Sequence, residues 1–132
     1  MRVVARRREG FVHDVDIEGR HSIVVDEPRE AGGTDAGPAP TRLLAAGLAS
    51  CVAITVEMYA ERKGWEVGDV EVEVEVGYER YTPTSFDVAL RLPAEIDPAR
   101  RERLLAIAGK CPVHRIVAGD VDVKLTDRVE PL

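Results

Sequence analysis

The stretch TRLLAAGLASCVAITVEMYAERKG, residues 41–64, decides the fold of this chain. It predicts one helix from Thr41 to about Lys63, ended by Gly64 in the left-handed conformation. At 1.5 Å per residue such a helix is about 35 Å long. Apolar residues surround most of its first four turns, so we expect its N-terminal half to be buried on all sides.

Two β-hairpins are predicted on either side of this helix. FVHDVDIEGRHSIVVDEP (11–28) predicts two strands around a turn at Gly19. DVEVEVEV (69–76) and SFDVALRLP (85–93) predict a second hairpin with one apolar face. The basic segment RVVARRRE (2–9) is interpreted as a solvated strand end. Residues 27–40, rich in Gly and Pro, predict a loop whose length is typical of functional loops.

The C-terminal third predicts two helices and a strand. Asp97 is the predicted N-cap of a helix that ends near Gly109, and the segment CPVHRIV (111–117) predicts a shorter helix. DVDVKLTD (120–127) predicts a final strand. The order β-β-α-β-β-α-α-β is α+β, in a single domain spanning residues 1–132. The expected buried stripe of the first of these helices is Leu104, Leu105, Ile107 and Ala108.

Charge and composition exclude several classes of protein. The formal net charge of −6 argues against binding to nucleic acid or to an anionic membrane surface. Met1 is followed by charged residues, so no signal peptide is predicted. The apolar run Leu43–Val56 is shorter than the roughly 20 residues of a membrane span. We therefore expect a cytoplasmic protein, in which paired cysteines are more often catalytic or metal-binding than structural.

The two cysteines lie in different surroundings. Pro112 makes Cys111 the predicted N-cap of the short helix, where backbone N–H groups and the neighbouring Lys110 and His114 would lower a thiol pKa. Cys51 has no charged residue within a helical turn, so burial among apolar residues would raise its pKa. Reactivity at Cys51 would require a cation from the N-terminal strands or the long loop. Passive packing of both thiols in the core is the alternative.

Metal and cofactor chemistry is not favoured. The two cysteines together with His13, His21 and His114 could supply the ligands of a zinc ion. Only Cys111 and His114 of these residues are close in sequence, however. Serine-triad and phosphate-loop signatures are absent, since GGTDAG lacks the lysine of a P-loop. We expect neither a metal nor a cofactor.

The segments DEPREAGGTDAGPAPTRLLAAGLASCVAITVEMYAERKGW (26–65) and GKCPVHRIV (109–117) resemble the OsmC/Ohr family of thiol-dependent peroxidases and their OsmC-like relatives. The resemblance implies an interlocked homodimer with antiparallel sheets wrapped around long central helices. It also implies reduction of organic hydroperoxides in oxidative stress defence, with Cys51 as peroxidatic cysteine, Cys111 as resolving cysteine and an external dithiol as reductant. No cofactor is implied.

The resemblance further implies an arginine that holds the Cys51 thiolate and a carboxylate that orients it. The arginine is Arg8, Arg20 or Arg29, with Arg8 and Arg20 favoured. The family has Glu in one or both positions after the proline, where this chain has Thr41 and Arg42. Either the carboxylate comes from elsewhere, or the protein is an OsmC-like binding or redox-sensing protein without efficient turnover. The candidates for such a substitute carboxylate are Glu27, Glu30 and Asp35.

Overall fold

The computed structural model describes all residues, Met1–Leu132, and they group into two compact units. The first unit holds residues 1–46 and 76–86, and the second holds 47–75 and 87–132. In chain order the elements are β1 (Val3–Glu9), β2 (Val12–Ile17), β3 (His21–Val25), a 3-10 turn (Arg29–Ala31), α1 (Pro40–Lys63), β4 (Glu71–Glu79), β5 (Thr82–Arg91), α2 (Pro98–Ala108) and α3 (Pro112–Val117). Both predicted hairpins and all three predicted helices are confirmed.

The first unit contains a three-stranded antiparallel sheet in the order β1-β2-β3. Strand β1 occupies nearly all of the segment expected to be a solvated strand end, and it pairs with β2 from Val3 to Glu9, with a bulge after Arg7. Val12 and Val25 are buried, whereas Phe11 stays 53% exposed at the β1–β2 turn. Burial does not alternate along β2 and β3, and the most buried residues are Val12 at the start of β2 and Val25 at the end of β3.

The loop after β3 is fixed by one buried carboxylate. Asp26 is 1% exposed and accepts four hydrogen bonds, from the N–H groups of Glu27, Thr34 and Ala36 and from the Thr34 hydroxyl. Close backbone packing adds to this, because a Cβ on Gly33 would lie 1.9 Å from the Glu27 carbonyl oxygen. The long loop is therefore an ordered element rather than a flexible connection.

The core of the second unit is built on α1 and α2. Helix α1 buries a single stripe at steps of four residues, and α2 contributes three buried side chains. The prediction that the N-terminal half of α1 is buried on all sides is wrong for the single chain, since Leu44 is 44% exposed and Ile54, in the next turn, is 53% exposed. Leu105, expected in the α2 stripe, is 61% exposed. The buried residues are Leu48, Val52, Val56, Ala60, Leu104, Ile107 and Ala108.

Aromatic and arginine side chains join the end of α1 to α2. Gly64 ends α1 with φ +67, as predicted, and Trp65 then packs edge-on against Tyr59 at 5.7 Å. Arg103 of α2 donates a hydrogen bond of 2.9 Å to the Tyr59 hydroxyl, and Arg100 lies 5.0 Å from the Trp65 ring centre. These cation–π and hydrogen-bond contacts hold the first turns of α2 against the end of α1.

The predicted final strand does not form. Residues 120–132 have no regular structure, and the apolar residues of the expected strand are exposed, Leu125 by 86%. A strand needs a neighbouring edge that satisfies its backbone N–H and C=O groups, and no strand of the chain pairs with this segment. The prediction of a strand within the single chain is therefore wrong.

Helix α1 is long and apolar enough to cross a membrane by length and composition, with a mean hydropathy of 1.7 over its most apolar window. The apolar run Leu43–Val56 is shorter than a membrane span, whereas the helix that contains it continues to Lys63. The core helix of a soluble protein passes the same test.

Candidate functional site

Cys111 stands where the sequence predicted it, at the N-cap of α3. Its backbone is extended, Pro112 follows at the first helical position, and its sulfur accepts a 3.2 Å hydrogen bond from the His114 N–H. The residue is completely buried in the core of the second unit. The start of α3 thus holds this thiol in one fixed position.

Burial rather than the cap decides the ionisation of Cys111. Burial raises the pKa of its thiol, the backbone N–H of His114 acts in the opposite direction, and hydrogen bonding and charge at the neighbouring Cys51 raise it further. The prediction of a lowered pKa at Cys111 is wrong, because Lys110 and Arg115 are exposed and burial dominates. Cys111 is held as a neutral thiol.

Cys51 lies beside Cys111 and is the more accessible of the two. Both cysteines are free, and Cys51 is half-buried on α1, close enough to form a hydrogen bond with the Cys111 sulfur. Sequence reasoning expected full burial of Cys51, and its partial exposure follows from the open face of α1. Small molecules can therefore approach the Cys51 sulfur while Cys111 stays shielded.

The open face of α1 has a regular spacing centred on Cys51. Its positions follow one another in steps of three and four residues, the spacing by which two helices pack along a seam. Leu44, Ile54 and Met58 of this face are 44%, 53% and 56% exposed. We call it the α1 seam: Leu44, Gly47, Cys51, Ile54 and Met58.

The first unit contains a separate cavity of about 830 Å³. Its wall includes Thr41, whose hydroxyl lies 3.2 Å from the Tyr78 hydroxyl. Two of the three candidate substitute carboxylates are part of the wall, and Asp35 is not. Sequence reasoning missed the contribution of the β4–β5 turn, whose exposed arginine and tyrosine were the available signal. The charged and aromatic lining residues are Phe11, Glu27, Glu30, Arg42, Tyr78, Arg80 and Tyr81.

The candidate arginines all lie in the first unit, whereas both cysteines lie in the second. Arg8 forms an exposed ion pair with Asp14, and this hydrogen bond lowers the pKa of the Asp14 carboxyl. Arg20 is exposed in the β2–β3 turn, and Arg29 is exposed in the 3-10 turn. The assignment of Arg8 or Arg20 to the Cys51 thiolate stays a prediction.

The histidines do not assemble with the cysteines into a metal-binding group. No group of three or more His, Cys, Asp or Glu side chains could hold a metal ion. His13 Nδ1 lies 2.8 Å from the Phe11 carbonyl oxygen, and His21 is exposed at the start of β3. His114 Nδ1 is buried without a hydrogen-bond partner.

A half-exposed thiol on a long apolar helix, beside a buried thiol at the start of a short one, defines a small α+β protein with a paired-thiol site. A model of the OsmC-like protein family matches residues 33–126, which include both cysteines. The chain belongs to the OsmC-like family, and the α+β fold expected from the resemblance is confirmed.

Solved structures share this fold over most of the chain. The OsmC-like protein of Mycoplasma pneumoniae is 17% identical, with a TM-score of 0.77 over 89% of this chain and 86% of its own. An organic hydroperoxide resistance protein OsmC from Legionella pneumophila is 26% identical, with a TM-score of 0.65 over 94% of each chain. One from Elizabethkingia anophelis is 23% identical, with a TM-score of 0.67 over 94% and 93%. No curated protein matches the sequence.

Proposed function

We propose that this OsmC-like protein is a cytoplasmic thiol-dependent peroxidase that reduces organic hydroperoxides in oxidative stress defence. Membership of the family and the likeness to organic hydroperoxide resistance proteins support the proposal. The observation that carries it is the juxtaposition of two free cysteines of unequal exposure, Cys51 and Cys111. A substrate can reach the Cys51 sulfur, and the Cys111 sulfur lies beside it, shielded from the solvent.

In the first step the Cys51 thiolate attacks the terminal oxygen of a hydroperoxide. The O–O bond breaks, the alkoxide leaves and takes a proton to become the alcohol, and Cys51 becomes a sulfenic acid. The apolar seam around Cys51 favours an organic over an inorganic peroxide, because apolar surface removed from water stabilises an alkyl group.

In the second step Cys111 condenses with the sulfenic acid. A disulfide forms between the two sulfurs and water leaves, so Cys51 is protected from further oxidation. An external dithiol then reduces the disulfide by thiol exchange and leaves as its own disulfide. No metal or cofactor takes part in this cycle.

We place the reaction in a homodimer, with Arg8 or Arg20 holding the Cys51 thiolate. The exposed apolar residues of the α1 seam on either side of Cys51 (Leu44, Ile54 and Met58) support the dimer, because their spacing suits packing against the same helix of a second copy that leaves the Cys51 sulfur open to substrate. A cation beside a thiolate stabilises the charged form and raises the thiolate fraction. Glu27 and Glu30 are the carboxylates retained as candidates to orient that arginine.

A second candidate is a redox sensor that forms the same disulfide without fast turnover. The buried Cys111 with its raised pKa favours it, because a neutral thiol is a poor nucleophile. Thr41 and Arg42, in place of the family carboxylate, favour it as well. Such a protein forms one disulfide per chain and then stops.

Peroxide consumption by the reduced protein tests both candidates. With cumene hydroperoxide and a dithiol in excess, we expect multiple turnovers that Cys51→Ser abolishes, whereas Cys111→Ser oxidises at Cys51 but forms no intramolecular disulfide. Ala53→Ser is the matched control, since it also places a serine at a half-buried site of α1. Undiminished turnover in Cys51→Ser contradicts the proposal, and a single turnover in the wild type selects the sensor.

A further inference from the structure

The first unit contains a second cavity of about 440 Å³, lined by the sheet β1-β2-β3 and by the first turn of α1. Two polar residues of its wall have partners within the chain. The Asp26 carboxylate accepts its four hydrogen bonds, and His13 Nδ1 lies 2.8 Å from the Phe11 carbonyl oxygen. The rest of the wall is mostly aliphatic. We call this cavity the apolar chamber, after its lining residues Ala5, Val15, Val25, Pro40 and Leu43.

The apolar chamber adjoins the cavity of about 830 Å³ described above, which we call the polar chamber. The two meet at Phe11 and Glu27, which line both. Every lining residue of both chambers belongs to the first unit, so together they form one cleft within that unit. Cavities of about 300–1,000 Å³ are the usual size of small-molecule sites, and each chamber is within this range.

The polar chamber presents hydrogen-bond donors that the chain itself does not use. The guanidinium groups of Arg42 and Arg80 form no ion pair and no side-chain hydrogen bond within the chain. The hydroxyls of Thr41 and Tyr78 lie 3.2 Å apart, and a bond between them leaves one of their two protons to donate elsewhere. A guanidinium group binds a carboxylate through two parallel hydrogen bonds, so this wall suits a carboxylate.

Two carboxylates of the same wall act in the opposite direction. Glu27 and Glu30 only accept hydrogen bonds, and they would attract a cationic head group rather than an anionic one. The donors outnumber them, because the two guanidinium groups are joined by the hydroxyls of Thr41, Tyr78 and Tyr81. We therefore expect the polar chamber to prefer an anionic head group.

We propose that this cleft binds an amphipathic carboxylate, with an aliphatic chain in the apolar chamber and the carboxylate paired with Arg42 and Arg80. Removal of the chain from water stabilises the complex, and the guanidinium groups select the head group. Neither cysteine lines either chamber, so the inference goes beyond the proposed thiol chemistry and does not depend on it.

Calorimetric titration of the full-length protein with decanoate, butyrate and decylamine, in the absence of peroxide, tests the inference. We expect one decanoate per chain, bound at least about 100-fold more tightly than butyrate, because each buried CH₂ adds to the affinity. Decylamine has the same chain with a cationic head and should bind more weakly than decanoate. Equal affinities for decanoate and decylamine would overturn the inference.

The variant Arg80→Gly tests the head-group contact without straining the fold. Arg80 has φ +58 in the β4–β5 turn, a conformation that glycine adopts freely. We expect its decanoate affinity to fall at least about 10-fold, the size of a lost hydrogen bond to a charged group, and its decylamine affinity not to fall. Glu18→Gly is the matched control, since Glu18 has the same φ in the β2–β3 turn outside the cleft, and it should bind decanoate as the wild type does.

The variant Ala5→Leu tests the apolar chamber separately. The larger side chain fills part of the chamber with apolar volume, so we expect decanoate to bind more weakly while butyrate affinity is unchanged. Thermal melts by circular dichroism show whether each variant is folded. An unchanged decanoate affinity in folded Arg80→Gly or in folded Ala5→Leu would overturn the inference and leave the proposed function intact.

Discussion

Asp26 shows how one residue can order a long loop. Its buried carboxylate accepts hydrogen bonds from the Thr34 hydroxyl and from three backbone N–H groups, and these lower its pKa to about 2. Because the folded pKa lies below the unfolded value of about 3.9, the stabilisation is complete above about pH 4 and is lost as the pH falls towards 2.

Asp26→Asn should therefore lower the melting temperature by several degrees at neutral pH, since an amide nitrogen would then face N–H donors. Circular dichroism melts from pH 7 down to pH 2 measure the difference from wild type, which should shrink below about pH 4. Asp14→Asn, at an exposed carboxylate, is the matched control and should change little. A difference between Asp26→Asn and wild type that is constant with pH would contradict this account.

Residue positions were easier to predict than residue environments. The dipeptide Cys111–Pro112 indicates an N-cap from local geometry alone, and the structure has it there. The complete burial of Cys111 and its nearness to Cys51 arise from tertiary packing, so the direction of its pKa shift could not be predicted from its sequence neighbours.

At the scale of elements, the helix α1 carries more apolar surface than the chain itself covers. The sequence predicts the helix and its end at Gly64 but not which sides are covered, because a run apolar on all sides has no amphipathic phase. The buried stripe at Leu48, Val52 and Val56 leaves the α1 seam open.

Ile54→Glu should convert the proposed homodimer into monomers. A carboxylate in an apolar helix seam loses its hydration without a partner, so we expect the dissociation constant to rise at least about 100-fold. Sedimentation velocity of the reduced protein measures the change. Glu57→Lys, on α1 but outside the seam, should leave the assembly unchanged. If the wild-type protein is monomeric even at high concentration, the proposed homodimer is contradicted.

The strand predictions are confirmed where the pairing strand follows within a few residues in the chain. The valines of β4 and the apolar side of β5 lie on the less exposed face, as the alternation indicated. Residues 120–127 have the same alternation without a paired edge, and they stay exposed. Alternation of apolar and polar residues shows that a segment can form a strand. The strand forms only where a neighbouring strand offers an unpaired edge.

At the scale of the whole molecule, a single chain leaves apolar residues exposed along the α1 seam and in residues 120–132, besides separate ones such as Phe11 and Leu105. A second copy covering both would make stability depend on protein concentration. We expect the melting temperature to rise with concentration, and the rise to disappear when the chain is ended after Gly119, although helices α1–α3 stay intact by circular dichroism. Concentration-independent melting of the full chain would contradict this expectation.

The unequal exposure of the two sulfurs also determines which of them would be oxidised irreversibly. When hydroperoxide is in large excess, it would oxidise the Cys51 sulfenic acid to the sulfinic acid faster than the disulfide forms. Thiols do not reduce a sulfinic acid, and the buried Cys111 would stay unoxidised. Inactivated molecules would therefore carry a sulfinic acid at Cys51 alone. Their fraction would measure how often a second hydroperoxide reacted with Cys51 before Cys111 formed the disulfide.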